Sequence, residues 1–357
     1  MSAASTMRAM VVEKPGAPFV LKHLPVPVPG PGEAVAKVYT CGAGLTLQHV
    51  KAGRSPGKFP LIMGHEVTAE ISAVGPGVTD LKEGDPVTIY FYMTCGTCPS
   101  CTSGRENLCD NFGGFVGRQI DGAYADYVKL PARNFLKLPQ AINYKELAAE
   151  VGVVTDAIAT PYKVIRRARI QPGENVAIFG AGGGLGSNMV LVAKWAGARV
   201  IAVDRGKQKL DLARQLGADA CVDVLNGDRL NEDVPERLRA ATDGRGPEVS
   251  IDFVSSKWTT ETALAASAKG GRTVVLGGGG DTFAARTAEF LNRELELIGS
   301  RYCTREEVMQ ALQLVADGEI TPYVGERYPL EQAEVAHERL EQGLVMGRAV
   351  LDINAFD

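Results

Sequence analysis

Four cysteines lie close together in the first third of the chain and could hold a metal ion. They are separated by two, two and seven residues, and they are Cys95, Cys98, Cys101 and Cys109. Four thiolates are enough to close a tetrahedral shell around Zn²⁺, which leaves no open coordination position for a substrate. The spacing therefore predicts a structural zinc site over residues 95–109. Free or disulfide-paired cysteines are the alternative, but metal binding is the better interpretation in a chain with the composition of a cytosolic protein.

A glycine-rich segment between a predicted strand and a predicted helix could bind a dinucleotide. Gly180, Gly183 and Gly186 are spaced three residues apart. The first permits a tight turn, the second lets the backbone approach a pyrophosphate, and the third allows the helix to pack closely. A merely flexible turn is the alternative, but the flanking strand and helix favour a cofactor site, because a helix N-terminus attracts phosphates. The predicted residues of this site are Gly180, Gly182, Gly183, Gly184, Leu185 and Gly186.

An acidic residue at the end of the next predicted strand indicates which nucleotide binds. Asp204 ends the run Val200–Asp204, where a carboxylate can accept hydrogen bonds from the adenosine ribose. Because a carboxylate repels a 2′-phosphate, Asp204 favours NAD over NADP. Arg205 follows and could partly offset that repulsion. The alternative for Asp204 is a cap for the helix that comes after it.

The elements that position these residues change in character near Asn143. After that point, short Val/Ile-rich strands alternate with amphipathic helices, a pattern typical of a doubly wound parallel sheet covered on both faces. Before it, short strands broken by Pro and Gly predict a mostly antiparallel β-rich part. A last strand, Arg348–Ile353, is predicted to return to that part. The predicted strands of the second part are Asn175–Phe179, Arg199–Val203, Ala220–Val224, Val249–Val254, Arg272–Leu276 and Leu295–Gly299; a helix is predicted over Thr282–Arg293.

The composition excludes several classes of protein. The chain has 357 residues and a formal net charge of −4, with 38 Lys and Arg against 42 Asp and Glu. This near balance argues against a nucleic-acid-binding protein, which needs clustered cations. No run of about 18 apolar residues predicts a membrane span, and the first residues lack the features of a secretory signal. We therefore expect a cytoplasmic protein.

Further motifs make the chain similar to a known family, the zinc-dependent medium-chain alcohol dehydrogenases, over nearly its whole length. Besides the cysteine lobe and the glycine turn, the motifs are Gly64-His65-Glu66, Val74-Gly75-x-Gly77-Val78, Gly84-Asp85-x-Val87 and Gly347-Arg348-Ala-Val-Leu. The resemblance implies an α/β protein with a β-rich GroES-like catalytic domain and a doubly wound Rossmann domain that binds NAD. The expected catalytic domain covers residues 1–155 with 298–357, and the expected NAD domain covers residues 156–297.

The resemblance also implies a catalytic zinc ion, which would bind the alcohol oxygen as a Lewis acid. His65 resembles an imidazole ligand, and Glu66 resembles the carboxylate that approaches the metal when water is displaced. The third ligand is expected four residues before Thr160, the residue that would pack near the nicotinamide, and is therefore Asp156. The alternatives are that His65 is a residue of the core and that Asp156 caps the helix beginning at Ala157.

A proton relay is implied by the segment Gly44–His49. The hydroxyl of Thr46 would contact the alcohol, and His49 would release the proton to solvent, although His49 could also be an ordinary surface residue. Arg348 is the cation expected at the pyrophosphate, because Leu45 replaces the basic residue often found there. His23 and His337 match no motif, and we interpret both as surface residues.

Two residues depart from the family pattern at the catalytic metal. Gly44 stands at the position of the remaining cysteine ligand, and Leu47 stands where an Asp usually follows the relay threonine. Cys41 could replace the missing thiolate only if the backbone were rerouted. The predicted ligand set is therefore His65, Glu66 and Asp156 with water, which is atypical but acceptable for Zn²⁺.

The resulting prediction is an NAD-dependent alcohol dehydrogenase that acts on a small alcohol or carbonyl substrate and forms a homodimer or homotetramer. The first alternative keeps the fold without a catalytic metal, as in the zinc-free quinone and enoyl reductases that reduce activated C=C bonds. Gly44 and the glycine turn favour this alternative, whereas Thr46, His49 and Asp156 favour alcohol chemistry. The second alternative is a nucleotide-binding protein without catalysis.

Overall fold

The computed structural model describes residues 6–227, 229–278 and 280–356. The chain divides into two compact units, Met1–Ala159 with Cys303–Asp357 and Thr160–Tyr302. The boundaries lie at 159 and 302, whereas the sequence predicts them at 155 and 297.

The strands and helices follow one another along the chain with short connections. The strands are β1 Thr6–Val12, β2 Phe19–Pro25, β3 Glu33–Ala43, β4 Leu61–Ile62, β5 Val67–Val74, β6 Pro86–Ile89, β7 Tyr127–Pro131, β8 Phe135–Lys137, β9 Asn175–Phe179, β10 Arg199–Asp204, β11 Ala220–Asp223, β12 Leu225–Asn226, β13 Arg229–Leu230, β14 Val249–Asp252, β15 Arg272–Val275, β16 Glu296–Gly299, β17 Val324–Pro329 and β18 Arg348–Asp352. The helices are α1 Leu45–Lys51, α2 Pro99–Thr102, α3 Ala148–Val153, α4 Ala159–Arg167, α5 Gly184–Trp195, α6 Lys207–Gln215, α7 Val234–Ala240, α8 Lys257–Ala266, α9 Thr287–Arg293, α10 Arg305–Ala316 and α11 Ala333–Glu341.

The first unit is built on a mostly antiparallel sheet. Its strands lie in the order β17-β18-β3-β5-β6-β8, with β7 also paired to β3, and a smaller sheet has the order β2-β1-β4. Strand β18 runs antiparallel to β3 in a register that pairs Ala349 with Ala43. This register sets the residue before Ala349, Arg348, beside the residue after Ala43, Gly44. The contact between these two positions matters for the site described below.

The second unit is a parallel sheet with the order β11-β10-β9-β14-β15-β16 within the described residues. Taking β9 as its first strand, this is the order 3-2-1-4-5-6 of a doubly wound dinucleotide-binding fold. The central strands are fully buried, as Ala177, Ile201 and Val203 show with no exposed surface. A strand buried on both faces needs a continuous apolar sequence, which is the pattern that predicted it. The predicted fold class is confirmed.

One helix starts later than its sequence pattern predicts. The expected helix over 282–293 begins at Thr287, and residues 281–289 are all exposed. Because the apolar residues of this stretch have no core to cover, nothing stabilises the additional turn.

The surface interpretation of His337 is wrong. This residue is completely buried on α11, where its Nε2 lies 3.0 Å from the Tyr124 hydroxyl and its Nδ1 lies 3.0 Å from Gln48 Oε1. The Gln48 amide nitrogen donates to Glu341, so Oε1 must accept from Nδ1 and the Tyr124 hydroxyl must donate to Nε2. Both nitrogens of the neutral His337 ring thus have a hydrogen-bond partner. The helical sequence pattern around His337 does not indicate these partners, because they lie on distant elements.

Burial of His337 predicts a loss of stability in acid. Burial lowers the pKa of His337 from 6.5 to about 3. Above pH 6.5 the His337 ring is neutral in both the folded and the unfolded protein. Between pH 6.5 and 3 the ring binds a proton in the unfolded chain but stays neutral in the folded protein. This group should therefore reduce the free energy of unfolding by ~1.4 kcal/mol per pH unit over that range. Urea unfolding between pH 7 and 5 should show a shallower loss in His337→Gln, and equal slopes in the two proteins would contradict this role.

Candidate active site and zinc lobe

The four cysteines predicted to bind zinc meet in one loop. Helix α2 and a 3₁₀ turn at Glu106–Leu108 hold the loop, and the four Sγ atoms all lie within 4.8 Å of one another. Individual Sγ–Sγ distances are 3.5 Å for Cys95–Cys109 and 3.9 Å for Cys98–Cys109. A tetrahedral zinc ion with Zn–S bonds of about 2.3 Å requires sulfur atoms about 3.8 Å apart. A disulfide requires about 2.05 Å, so the geometry fits zinc and not disulfides.

Backbone N–H groups around the lobe favour thiolates. The N–H of Cys98 lies 3.3 Å from Cys95 Sγ, and the N–H of Asp110 lies 3.4 Å from Cys98 Sγ. Hydrogen bonds from the N–H groups of Thr97 and Cys98 lower the pKa of Cys95 to about 5. Such donors orient and stabilise the ligands of a bound ion. The lobe residues therefore fit a structural zinc ion.

The glycine turn in the second unit has the backbone that close approach to a phosphate requires. Gly180, directly after β9, has a φ of +81°, which favours glycine. Gly183 is the N-cap of α5, and a Cβ atom on Gly186 would lie only 2.0 Å from the carbonyl oxygen of Gly180. The turn thus leaves the N–H groups at the start of α5 open to an anion.

Asp204 is fixed beside this turn. Its carboxylate accepts hydrogen bonds of 2.7 Å from the N–H groups of Gly182 and Arg205, and the residue is 8% exposed. Helix α6 begins after Gly206, which has no side-chain cap, so the alternative that Asp204 caps this helix is not what the structure shows. A carboxylate has room for about four hydrogen bonds, so Asp204 can still accept from a ribose hydroxyl.

His65 is buried in the first unit without the partner that a ligand imidazole usually has. It is 4% exposed, its ring centroid lies 4.2 Å from that of Phe91, and burial lowers its pKa to about 4. Within the described residues, its buried Nδ1 has no hydrogen-bond partner. A metal-bound histidine normally donates its other nitrogen's proton to a carboxylate or carbonyl. No such acceptor lies within hydrogen-bond distance of Nδ1 among the described residues.

Glu66 and Asp156 meet at a different cation. Arg348 is 6% exposed, and its Nε donates to Glu66 Oε2 at 2.7 Å. Its Nη2 lies 2.7 Å from Glu66 Oε1 and donates to Asp156 Oδ2 at 2.9 Å. Burial raises the pKa of Glu66 to about 7 despite this cation beside it. The structure therefore brings these three residues together as an ion-pair cluster in the first unit, with Glu66 and Arg348 buried and Asp156 partly buried.

The residues predicted to hold a catalytic metal do not fit one in this arrangement. Among the described residues, the cysteine lobe is the group of metal-binding side chains whose ligand atoms converge, and it does not include His65, Glu66 or Asp156. The two carboxylates bind the Arg348 guanidinium, and Gly44 offers no ligand. Cys41 is fully buried in β3 opposite Leu351, so the backbone is not rerouted to supply a thiolate.

Comparison with known proteins identifies the family of this chain. Residues 30–140 match the alcohol dehydrogenase GroES-like domain, and residues 184–317 match the zinc-binding dehydrogenase family. An alcohol dehydrogenase of Geobacillus stearothermophilus is 35% identical over 351 residues, 98% of this chain and 100% of that protein. The chain belongs to the zinc-dependent medium-chain alcohol dehydrogenase family.

Other members of the alcohol dehydrogenase family support the same assignment. An NAD-dependent alcohol dehydrogenase of Sulfolobus acidocaldarius is 32% identical and covers 97% of this chain and 100% of its own length. The crystal structure of the alcohol dehydrogenase from Aeropyrum pernix has a TM-score of 0.87 at 32% identity, with 97% of this chain and 99% of that chain covered. These relatives confirm the predicted family and support the predicted NAD-dependent oxidoreductase activity on CH–OH groups. None of the helices found in the described residues has the length and apolar character needed to cross a membrane.

The remaining predicted alcohol dehydrogenase residues lie at defined places in the two units. Thr46 and His49 are three residues apart on α1, so they share a face of this helix; Thr46 is exposed and His49 is half-buried. Asp156 lies within a π-helical turn at Val154–Ile158, and is therefore not the N-cap of a following helix. Thr160 is 5% exposed on α4. Their roles in catalysis stay predictions.

Arg348 is the residue whose role differs most from the sequence prediction. It was expected to contact the pyrophosphate, but in the structure its guanidinium is occupied by Glu66 and Asp156. A signal was present in the sequence, because a glycine in place of a ligand leaves room for a large side chain. Only the pairing of β18 with β3 shows that Arg348 is the side chain that uses this room.

Proposed function

We propose that the protein is an NAD-dependent alcohol dehydrogenase, which transfers a hydride between the carbinol carbon of a small alcohol and the nicotinamide of NAD. The observation that carries this proposal is the carboxylate of Asp204, held by the N–H of Gly182 beside the glycine turn. This is the arrangement that binds a ribose diol next to a pyrophosphate. The named dehydrogenases that match the whole chain support the same activity.

The residues of the chain have separate tasks in this reaction. The turn at Gly180–Gly186 binds the pyrophosphate, and Asp204 binds the adenosine ribose. When bound, NAD accepts the hydride from the alcohol carbon, and the hydroxyl proton must leave as the carbonyl forms. We assign that proton to Thr46 and then to His49. Burial lowers the pKa of His49 below 6.5, so its imidazole is neutral at pH 7 and can accept the proton.

A panel of alcohols tests the proposed activity. Primary, secondary and aryl alcohols are incubated with the purified protein and NAD, and NADH formation is followed by its absorbance. We expect turnover with at least one of these classes and the reverse reaction with the matching aldehyde or ketone. Tight NADH binding without turnover in either direction would contradict the proposal.

A second candidate function is the reduction of activated C=C bonds with NADH. The observation that favours it is the fixed Arg348 cation beside Gly44. A guanidinium donates hydrogen bonds and can stabilise a carbonyl oxygen that gains charge, but it cannot coordinate an alkoxide as a metal does. Enones and quinones added to the substrate panel distinguish the two functions, because this candidate predicts NADH oxidation with them and none with simple aldehydes.

Asp204 should determine the choice of cofactor. Asp204→Gly removes the repulsion of a 2′-phosphate and the hydrogen bonds to the ribose, so the preference for NAD over NADP should fall by roughly 10–100-fold, or about 1–3 kcal/mol. The measurement is kcat/KM with each cofactor. Asp211→Asn, a change at a carboxylate on α6, is the control and should leave the preference unchanged. Equal use of both cofactors by the unmodified protein would rule out this role for Asp204.

His49 should contribute most to the rate of alcohol oxidation near pH 7, where the proton of the alcohol must be accepted by a base on the protein. His49→Gln should reduce the rate of alcohol oxidation at pH 7 by about 100-fold, in the range of general-base contributions. The loss should shrink as the pH rises, because hydroxide takes over the proton. His23→Gln, at an exposed position on β2, is the matched control. A loss that is independent of pH would indicate a structural role and would contradict the relay.

We also propose that the enzyme works in the cytoplasm as a homodimer or homotetramer. Helix α9 supports an assembly, because none of its residues is buried in the single chain and Leu291 is 78% exposed. Light scattering after gel filtration gives the number of subunits directly.

A further inference from the structure

We infer that the guanidinium of Arg348 takes the place of a catalytic metal, so that the chain holds one zinc ion, in the cysteine lobe, and none at His65, Glu66 and Asp156. The inference concerns the same residues as the proposed function. Its test counts metal ions and does not depend on activity. If the protein does not oxidise alcohols, the expected count of one zinc ion still stands. If the protein holds two zinc ions, the proposed alcohol dehydrogenase activity still stands.

The carboxylate oxygens of Glu66 and Asp156 already bind a cation. Arg348 Nη2 contacts both Glu66 Oε1 and Asp156 Oδ2, and Nε contacts Glu66 Oε2. A zinc ion bound by these carboxylates would compete for the same oxygens. It would also place two positive charges within a few ångströms of a guanidinium that is always protonated.

Gly44 provides room for the guanidinium. A Cβ atom on Gly44 would lie 2.8 Å from Arg348 Nη1 and 3.0 Å from its Cζ. The backbone of Gly44 has a φ of −131° and a ψ of 158°, an extended conformation that any residue adopts. The backbone conformation therefore does not require glycine, whereas the guanidinium in its present position leaves little space for a Cβ atom. A side chain at this position would therefore require the Arg348 guanidinium to shift from its present place.

The guanidinium is anchored from both ends. Strand β18 holds the Arg348 backbone next to β3, and the two carboxylates hold the side chain, which is 7% exposed. If Arg348 swung aside, the fully buried carboxylate of Glu66 would lose its cation, which is unfavourable for a buried charge. Binding of a metal ion at these carboxylates would therefore have to displace the Arg348 guanidinium, which makes the free energy of metal binding less favourable than at a site without a cation.

His65 has no support as a ligand. Its buried Nδ1 has no hydrogen-bond partner among the described residues. The orienting partners of a metal-bound histidine contribute substantially to metal affinity. The histidine therefore does not compensate for carboxylates that are occupied by Arg348.

Metal analysis of the full-length protein tests the inference directly. The protein is saturated with ZnCl₂, freed of excess metal by gel filtration, and analysed by inductively coupled plasma mass spectrometry. We expect one zinc ion per chain, and none in Cys98→Ser. Two zinc ions per chain in the unmodified protein would overturn the inference.

A cobalt titration tests the role of Arg348 itself. Arg348→Met removes the cation that occupies the Glu66 and Asp156 carboxylates, so this variant should take up one Co²⁺ ion more than the unmodified protein, detected by its visible absorption. Arg327→Met, which breaks the exposed ion pair with Asp352, is the matched control and should gain none. A folded Arg348→Met that binds no additional cobalt would overturn the role of Arg348. If that variant does not fold, the zinc count of the unmodified protein remains decisive.

Discussion

Replacing Gly186 with alanine should strongly weaken the binding of NADH. The added Cβ atom would lie 2.0 Å from the carbonyl oxygen of Gly180, so α5 must move away from the turn. The N–H groups at the start of α5 would then no longer converge on the pyrophosphate. Such overpacking costs ~1–3 kcal/mol, and we expect the Kd for NADH to rise by about 100-fold. The measurement is an NADH-fluorescence titration.

A control glycine separates this effect from a general loss of fold. Gly299, in β16 of the same unit, has space around its missing Cβ and an ordinary φ. Gly299→Ala should therefore bind NADH as the unmodified protein does. If Gly186→Ala binds NADH within threefold of the unmodified protein, the turn is not the pyrophosphate site.

Cys98→Ser should remove the structural zinc ion and destabilise the lobe at residues 95–109. The regular structure of this loop consists of two short helical turns. The bound metal ion should therefore supply much of the free energy that folds the loop. The melting temperature should fall by several degrees, because ~1 kcal/mol corresponds to roughly 2–4 °C in domains of 150–250 residues. The zinc content and a thermal melt of the same sample measure both effects.

The matched change is Cys221→Ser, at a half-buried cysteine in β11 outside the lobe. This variant should keep its zinc. A Cys98→Ser protein with full zinc content and an unchanged melting temperature would show that the four cysteines are not a metal site.

The features predicted best from the sequence depend on residues close together in the chain. The cysteine lobe spans residues 95–109, and the glycine turn lies directly between a buried strand and its helix. Spacing over such short distances fixes which side chains or N–H groups can meet. The parallel sheet was predicted for a similar reason, since each of its strands carries its own apolar pattern.

The features that the sequence did not reveal depend on contacts between distant parts of the chain. Arg348 reaches Gly44 and Glu66 only through the pairing of β18 with β3. His337 is buried because α11 lies against Gln48 and Tyr124, which no local pattern indicates. In both cases a charged or polar side chain was given a role from its immediate neighbours, whereas its partners lie hundreds of residues away.

The pairing of β18 with β3 has a consequence for the order in which the polypeptide can fold on the ribosome. The whole second unit, Thr160–Tyr302, is synthesised between these two strands. Until β18 emerges, residues 40–43 of β3 lack their neighbour on that side, and an unpaired strand edge invites pairing with other chains. Arg348, which pairs with Glu66 and Asp156 in the folded protein, is also absent during this interval. The sheet of the first unit can therefore be completed only after the second unit and the strand that carries Arg348 have been synthesised.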